Sequence, residues 1–180
     1  MSWESIGNGR DRQMAENPED EIAAMQHLMR VYSNDLGVQG VSATAGIRNT
    51  RIIMPLDYLY DHQNVYTIIP YCNGGEIFDR LDRRRRFTED ESRHFLRSIL
   101  DGLEWLQRAG LTHKDISLEN IMVDDELTVI IDVGMCLRIP YADNGAQRHL
   151  INSQPRCGKL YYMAPEVYNE EPFDGCAVDM

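Results

Sequence analysis

Apolar residues recur at Ile22, Met25, Leu28 and Met29, behind the acids Glu19, Asp20 and Glu21. That spacing builds one apolar helical face and the acids suit the positive end of a helix, so a helix is predicted over 18–31. Two short apolar runs follow, 51–60 and 64–71, divided by the turn-forming Asp61, His62 and Gln63, and they are expected to pair as antiparallel strands. Gly74 and Gly75 interrupt the pattern ahead of a short helix over 76–82. Thr88 and Glu91 have the spacing of a capping box, in which each side chain takes the other residue's backbone amide. Beyond it Phe95, Leu96, Ile99, Leu100, Leu103 and Leu106 hold one face over several turns and predict a long helix. After Gly110 the period shortens, and 121–123 and 128–131 read as a hairpin around the acidic turn of Asp124, Asp125 and Glu126. Residues 133–163 follow neither period, and an irregular stretch of that length inside a domain usually serves function. Residues 1–17 are polar, contain Gly7 and Gly9, and read as a disordered lead-in.

Composition adds bounds rather than detail. A hydrophobic content of 43% over 180 residues is enough to build the core of one compact domain. The formal charge of −11 argues against wholesale binding to nucleic acid or to an anionic membrane face. Cys72, Cys136, Cys157 and Cys176 lie far apart, with no Cys-x-x-Cys pair, so neither a zinc site nor a disulfide framework is expected; reduced thiols point to the cytoplasm or the nucleus. The N-terminus lacks a basic region followed by an apolar one, and no run of 18 apolar residues occurs, so neither secretion nor a membrane span is expected.

Chemistry enters at His113, Lys114, Asp115, Ile116, Ser117, Leu118, Glu119 and Asn120, which sit between the long helix and the hairpin. The hairpin leads into Asp132, Val133 and Gly134, and Gly158 and Lys159 precede Ala164, Pro165 and Glu166. In this order the three stretches resemble the catalytic loop, the D-F-G element and the end of the activation segment of protein kinases. The likeness runs from about 18 to 180 and implies an α+β, two-lobed but incomplete kinase-like fold. In it 18–70 would be a partial N-lobe of strands plus one helix, and 71–180 a mainly helical, partial C-lobe. The run from Val65 to Glu76 looks like the last N-lobe strand, the hinge and the start of the next helix. Ile69 would then be the gatekeeper, Pro70, Tyr71 and Cys72 the backbone facing adenine, and Glu76, Glu119 and Met122 further parts of the nucleotide site. Asp179 resembles the buried helix acid that braces the catalytic loop, and His113 and Met25 would join a packed column between the lobes.

The resemblance implies ATP and Mg²⁺ as cofactors and a protein serine or threonine hydroxyl as acceptor. Asp115 would take or orient the acceptor's proton, and Asn120 and Asp132 would hold magnesium against the phosphates. Glu21 would pair with a strand lysine to position ATP, although any of Glu19, Asp20 and Glu21 also reads as a solvated first-turn acid. Blander readings make Asp115 and Asn120 a polar turn and Asp132 a strand-end cap.

The pattern also departs from the family. No G-x-G-x-x-G followed by V-A-I-K occurs, and Gly7-Asn8-Gly9 lacks the strand context that would qualify it. A domain truncated at both ends, poorly stable and weak or inactive alone, is the corresponding expectation. Ser117 stands where serine/threonine kinases place a lysine, and Lys159 where they place a threonine. One reading is an exchange, with Lys159 reaching the γ-phosphate and Ser117 hydrogen-bonding it; the other is an exposed Lys159 in a degenerate site. Val133 replaces a phenylalanine, leaving either a cavity or compensating neighbours. Ser153, the only Ser or Thr between Asp132 and Glu166, and Tyr141 are candidate phosphorylation positions, with Lys114 as a counter-charge. The run Arg83, Arg84, Arg85 and Arg86 is either a solvated helix end or a docking patch. Two rival functions stay open: a pseudokinase scaffold that binds partners, and a kinase-like small-molecule phosphotransferase.

Overall fold

The computed structural model describes residues 18–37, 42–125, 127–142, 145, 147–154 and 156–180. The predicted lead-in over 1–17, and Gly7 and Gly9 with it, lies outside the described residues.

Helix α1 (Pro18–Leu36) runs five residues past its predicted end at 31, because Tyr32 continues the stripe of Ala24, Met25 and Leu28. Its ring meets that of Trp105 edge-on at 6.4 Å. Helix α2 (Ala43–Thr50) has no counterpart in the sequence reading. Ile47 is its one buried aliphatic anchor, too little to raise a helical period, and Arg51 ends the helix in the left-handed region at φ 61.

The predicted strand 51–60 splits in two. Pro55 has no N–H, and it separates two different partnerships. Before it, Ile53 donates its amide to Ile130 O at 2.9 Å, and Ile130 donates to Arg51 O at 2.8 Å. After it, β1 (Asp57–Tyr60) pairs antiparallel with β2 (Val65–Ile68), from Asp57 opposite Ile68 to Tyr60 opposite Val65.

Helix α3 (Ile77–Arg84) ends two residues later than predicted. Arg84 there chelates Glu91 at 2.6 and 3.1 Å and Arg85 meets Asp82 at 3.1 Å, so these two members of the basic run are engaged by local acids. Helix α4 (Glu89–Arg108) opens with the predicted capping box, Glu91 donating its amide to Thr88 Oγ1 at 3.2 Å and Thr88 donating its own to Glu91 Oε2 at 2.9 Å. Of its predicted face Leu103 and Leu106 are buried and Phe95 and Ile99 pack against the core, but Leu96 is 56% and Leu100 36% exposed. The buried line adds Ser98 and Gly102, at i and i+4 with Leu106 at i+8. Small residues define the contact line because Ile130 and the 51–54 segment come close; a Cβ on Gly102 would stand 2.9 Å from Ile130 Cδ1 and 3.1 Å from Arg51 Cβ.

The rest of the chain is built from two-stranded pieces. Strand β3 (Leu111–Thr112) pairs with β6 (Leu137–Arg138), and β4 (Ile121–Asp124) with β5 (Leu127–Ile130), all antiparallel. The hairpin is tighter than predicted, with Ile131 left outside it. A single 3-10 turn, Leu118–Asn120, enters β4, and a short helix α5 (Pro165–Tyr168) follows the long connection. One core gathers α1, α2, α4 and the β4–β5 hairpin around Leu28, Ile52, Leu106 and Ile130. A second, smaller cluster of Ile151, Val167 and Phe173 lies under the end of the connection. The architecture is α+β, with the catalytic-loop sequence between the two cores.

Candidate active site

Strand β3 delivers the chain to His113, and a buried acid fixes its exit. Asp179 Oδ2 accepts Thr112 Oγ1 at 2.9 Å and the His113 amide at 2.7 Å, while Oδ1 accepts the Lys114 amide at 2.7 Å. Burial pushes the Asp179 carboxyl above its ordinary value, and these donors work against the rise. Lys114 lies in the left-handed region at φ 68, and its Nζ stands 5.8 Å from the centroid of the Phe173 ring.

The turned backbone sets Asp115 beneath three donors. Asn120 Nδ2 reaches Asp115 Oδ2 at 2.7 Å and Asp115 O at 2.8 Å. Lys159 donates its amide to Oδ1 at 2.9 Å and its ammonium to Oδ2 at 2.9 Å. Gly158 makes this approach feasible: it has φ 86, and a Cβ there would stand 2.8 Å from Lys114 O and 3.1 Å from Asp115 Oδ1. Beside the pair lies a cavity of about 150 Å³ lined by Ile116, Tyr162, Met163 and Val167 among others.

The third motif arrives through two hydrogen bonds. Ile131 donates its amide to Asn120 O at 3.0 Å, and the His113 Nε2 lies 3.0 Å from Ile131 O. Asp132, the next residue, is thereby held beside the catalytic loop, at φ 60 and with Oδ1 accepting the Gly134 amide at 3.3 Å. His113 and Met25 are both buried. Val133 is fully buried in the main core.

The residues from Ile69 to Glu76 lead from β2 into helix α3. Gly74 donates to Val123 O at 2.8 Å, Val123 returns its amide to Gly75 O at 2.9 Å, and Glu76 bridges to Met122. Past Ile68 the β1–β2 pairing ends, and 69–72 belongs to no strand or helix, with Ile69 and Tyr71 exposed and Cys72 buried. Burial, then the Asp124 charge, pushes the Cys72 thiol up. Ser117 Oγ and Glu119 Oε2 are buried with no hydrogen-bond partner among the described residues. Glu21 does not join the Asp115 cluster. It lines a separate cavity of about 400 Å³ with Met25 and residues 65–69, which it shares with Ile69. Burial and then the Glu21 charge push the Tyr58 hydroxyl up to about 12.

Asp115, Asn120 and Lys159 therefore meet in one place, and Asp132 is tied to it through the Ile131 amide; Glu76 bridges to Met122, whereas Ile69 stays with Glu21 at the separate cavity. Lys159 stands on the carboxylate of Asp115, a contact the sequence reading did not contain. Thr112 was also missed, since a threonine two residues before the motif's Lys114 carries no signal of its own.

The chain matches the family model for the protein kinase domain over residues 9–180. It is similar to NUAK family SNF1-like kinase 1 of Mus musculus, 30% identical over 140 residues, which is 77% of this chain and 20% of that protein. To the serine/threonine-protein kinase H1 homolog of Danio rerio it is 31% identical over 138 residues, covering 74% of this chain and 31% of that one. To the RAC-beta serine/threonine-protein kinase of Mus musculus it is 32% identical over 153 residues, or 83% and 30%. The chain spans about a fifth to a third of the length of these relatives. With a matching domain over nearly all its length and the three motifs interlocked as described, this chain belongs to the protein kinase domain family.

Proposed function

We propose that this domain transfers the γ-phosphate of Mg·ATP to serine or threonine hydroxyls of proteins. The observation that carries the reading is the bond from Ile131 to Asn120, which locks the Asp132 segment against the loop holding Asp115. Phosphoryl transfer asks for alignment and charge neutralisation more than covalent chemistry, and such a rigid cluster supplies both. Asp115, buried with its carboxylate at the mouth of a cavity, orients the acceptor hydroxyl and takes its proton.

The donor set fits magnesium. Both Asn120 Nδ2 contacts go to Asp115, which leaves the amide Oδ1 as the acceptor for a cation; it and the Asp132 carboxylate would be the hard oxygen ligands. Among the described residues no cluster of three His, Cys, Asp or Glu exists to cage a metal. That suits an ion bound by one or two protein oxygens and the substrate's phosphates. Magnesium there would neutralise phosphate charge. The backbone over 69–71, outside the β1–β2 ladder, receives the nucleotide together with Glu76, Glu119 and Met122. The relatives named as serine/threonine kinases support the acceptor class.

The test is phosphate transfer from labelled ATP with Mg²⁺ to serine, threonine and tyrosine peptide arrays by the full chain. Transfer to serine or threonine, lost in Asp115→Asn and Asp132→Asn, is expected. The ion pair on Asp115 lends support to the scaffold reading, and nucleotide binding without transfer to any acceptor would decide for it.

A further inference from the structure

Only two of the 180 residues are lysine, Lys114 and Lys159, and both stand beside Asp115. The fold uses them differently. Lys114 turns its ammonium to the Phe173 ring, while Lys159 sets its own on Asp115 Oδ2 at 2.9 Å. The Lys159 side chain is 37% exposed and the carboxylate beneath it 7%, so the ammonium is the more accessible member of the pair. Its root is held separately, by the backbone amide on Oδ1. The four-carbon stem can therefore swing while the backbone stays in place. Within the catalytic loop, Lys114 is turned to Phe173, and Ser117, two residues after Asp115, is buried with an unpartnered hydroxyl.

We propose that Lys159 is a catalytic cation of this kinase site. When ATP binds, its ammonium moves from Asp115 to the γ-phosphoryl oxygens, so that the segment ending in Ala164, Pro165 and Glu166 supplies the charge that Ser117 does not. The same movement frees Asp115 Oδ2 for the acceptor hydroxyl, coupling arrival of the phosphate to exposure of the base. In the transfer that follows, the acceptor oxygen forms its bond to phosphorus as the bridging P–O bond breaks. That bond's electron pair leaves on ADP, and the hydroxyl proton passes to Asp115. A cation placed on the transferring group contributes about 10³ to 10⁵ in rate at comparable sites. The inference rests on the kinase reading above.

The scarcity of lysines gives a direct test. The full chain is incubated with Mg²⁺ and an ATP derivative acylated on its γ-phosphate; a lysine amine at that phosphate attacks the acyl carbon, ATP leaves, and peptide mass spectrometry locates the acyl group. Acylation of Lys159 at least about tenfold over Lys114, suppressed by excess ATP, is expected. Acylation of Lys114, or of neither while titration calorimetry shows the nucleotide bound, overturns the proposal. A second measurement separates a structural role. Lys159→Met should lower Mg·ATP affinity about tenfold with Mg·ADP affinity unchanged, and Ser117→Lys in that background should restore the preference. An equal fall for both nucleotides overturns the proposal. Failure of the unmodified chain to bind either nucleotide refutes the kinase reading itself, and this inference with it.

Discussion

Asp179 Oδ1 accepts the amide of Lys114 at 2.7 Å, and Lys114 holds that position at φ 68. A non-glycine residue in the left-handed region costs roughly 1–2 kcal/mol, and a charge-assisted hydrogen bond to its amide offsets about that much. The bond, with those to Thr112 and His113, is what turns the chain so that Asp115 faces the cavity. The site's most important conformation is thus imposed by an acid 64 positions beyond Asp115, not by local sequence preference.

Asp179→Asn tests that dependence. The amide keeps one acceptor for Lys114 but sets an NH₂ against two donors, Thr112 Oγ1 and the His113 amide. Leaving buried groups unpaired costs about 1–3 kcal/mol, so a loss of that size in urea unfolding is expected. Amide exchange at His113 and Lys114 should quicken more than at the β4–β5 hairpin.

On helix α4 the observed face predicts an inverted sensitivity. Leu96→Ser should change stability by no more than about 0.5 kcal/mol, since the side chain is 56% exposed. Gly102→Val, a substitution that adds apolar bulk, should cost about 1–3 kcal/mol, because the new atoms meet Ile130 and Arg51. Leu106→Ala, in the core, should cost about 2–5 kcal/mol. Denaturant unfolding of the three variants checks the order.

That inversion shows what the sequence could carry. Counting apolar residues found helix α4, its cap and the buried Leu103 and Leu106, but extended the face to the exposed Leu96 and Leu100 and passed over Ser98 and Gly102, whose burial no hydrophobic count registers. Helix α2 was invisible for a similar reason, with Ile47 its single buried aliphatic anchor. The 51–60 strand was legible as apolar, yet Pro55, which decides that its halves pair with different strands, was there to be weighed. The three site motifs were readable because phosphoryl transfer restricts residue type and spacing together. The pairing of Lys159 with Asp115 was not, since it joins positions 44 apart through a loop with no period.

The cap of α4 should also titrate. Hydrogen bonds from Arg84, then from the Thr88 amide and hydroxyl, lower the Glu91 carboxyl to about 2 from the usual 4.5. A lowered folded value means that the cap's contribution is present above pH 4.5 and lost as pH falls through about 2. The Thr88 amide proton shift should follow that titration, with its midpoint near 2 rather than 4.5. In Glu91→Gln the dependence should vanish. A midpoint at the ordinary carboxylate value would show that Arg84 does not engage Glu91 in solution.

Gly158→Ala bears on the site without removing any of its polar groups. Alanine at φ 86 is strained, and its Cβ would stand 2.8 Å from Lys114 O, a backbone atom that cannot step aside as a side-chain tip could. Relief requires the 158–159 segment to withdraw, which lengthens both Lys159 contacts to Asp115 while leaving the Asn120 contact intact. The global cost should be modest, about 1–2 kcal/mol in denaturant unfolding, because neither core contains Gly158. The local effect should be larger: amide exchange at Lys159 should rise well beyond the change in global stability. Phosphate transfer should fall by about a hundredfold, as expected when a reacting group is misplaced by an ångström. Unchanged exchange at Lys159 would mean that the segment tolerates the added methyl, and that the close approach of Gly158 to Lys114 does not hold the ion pair.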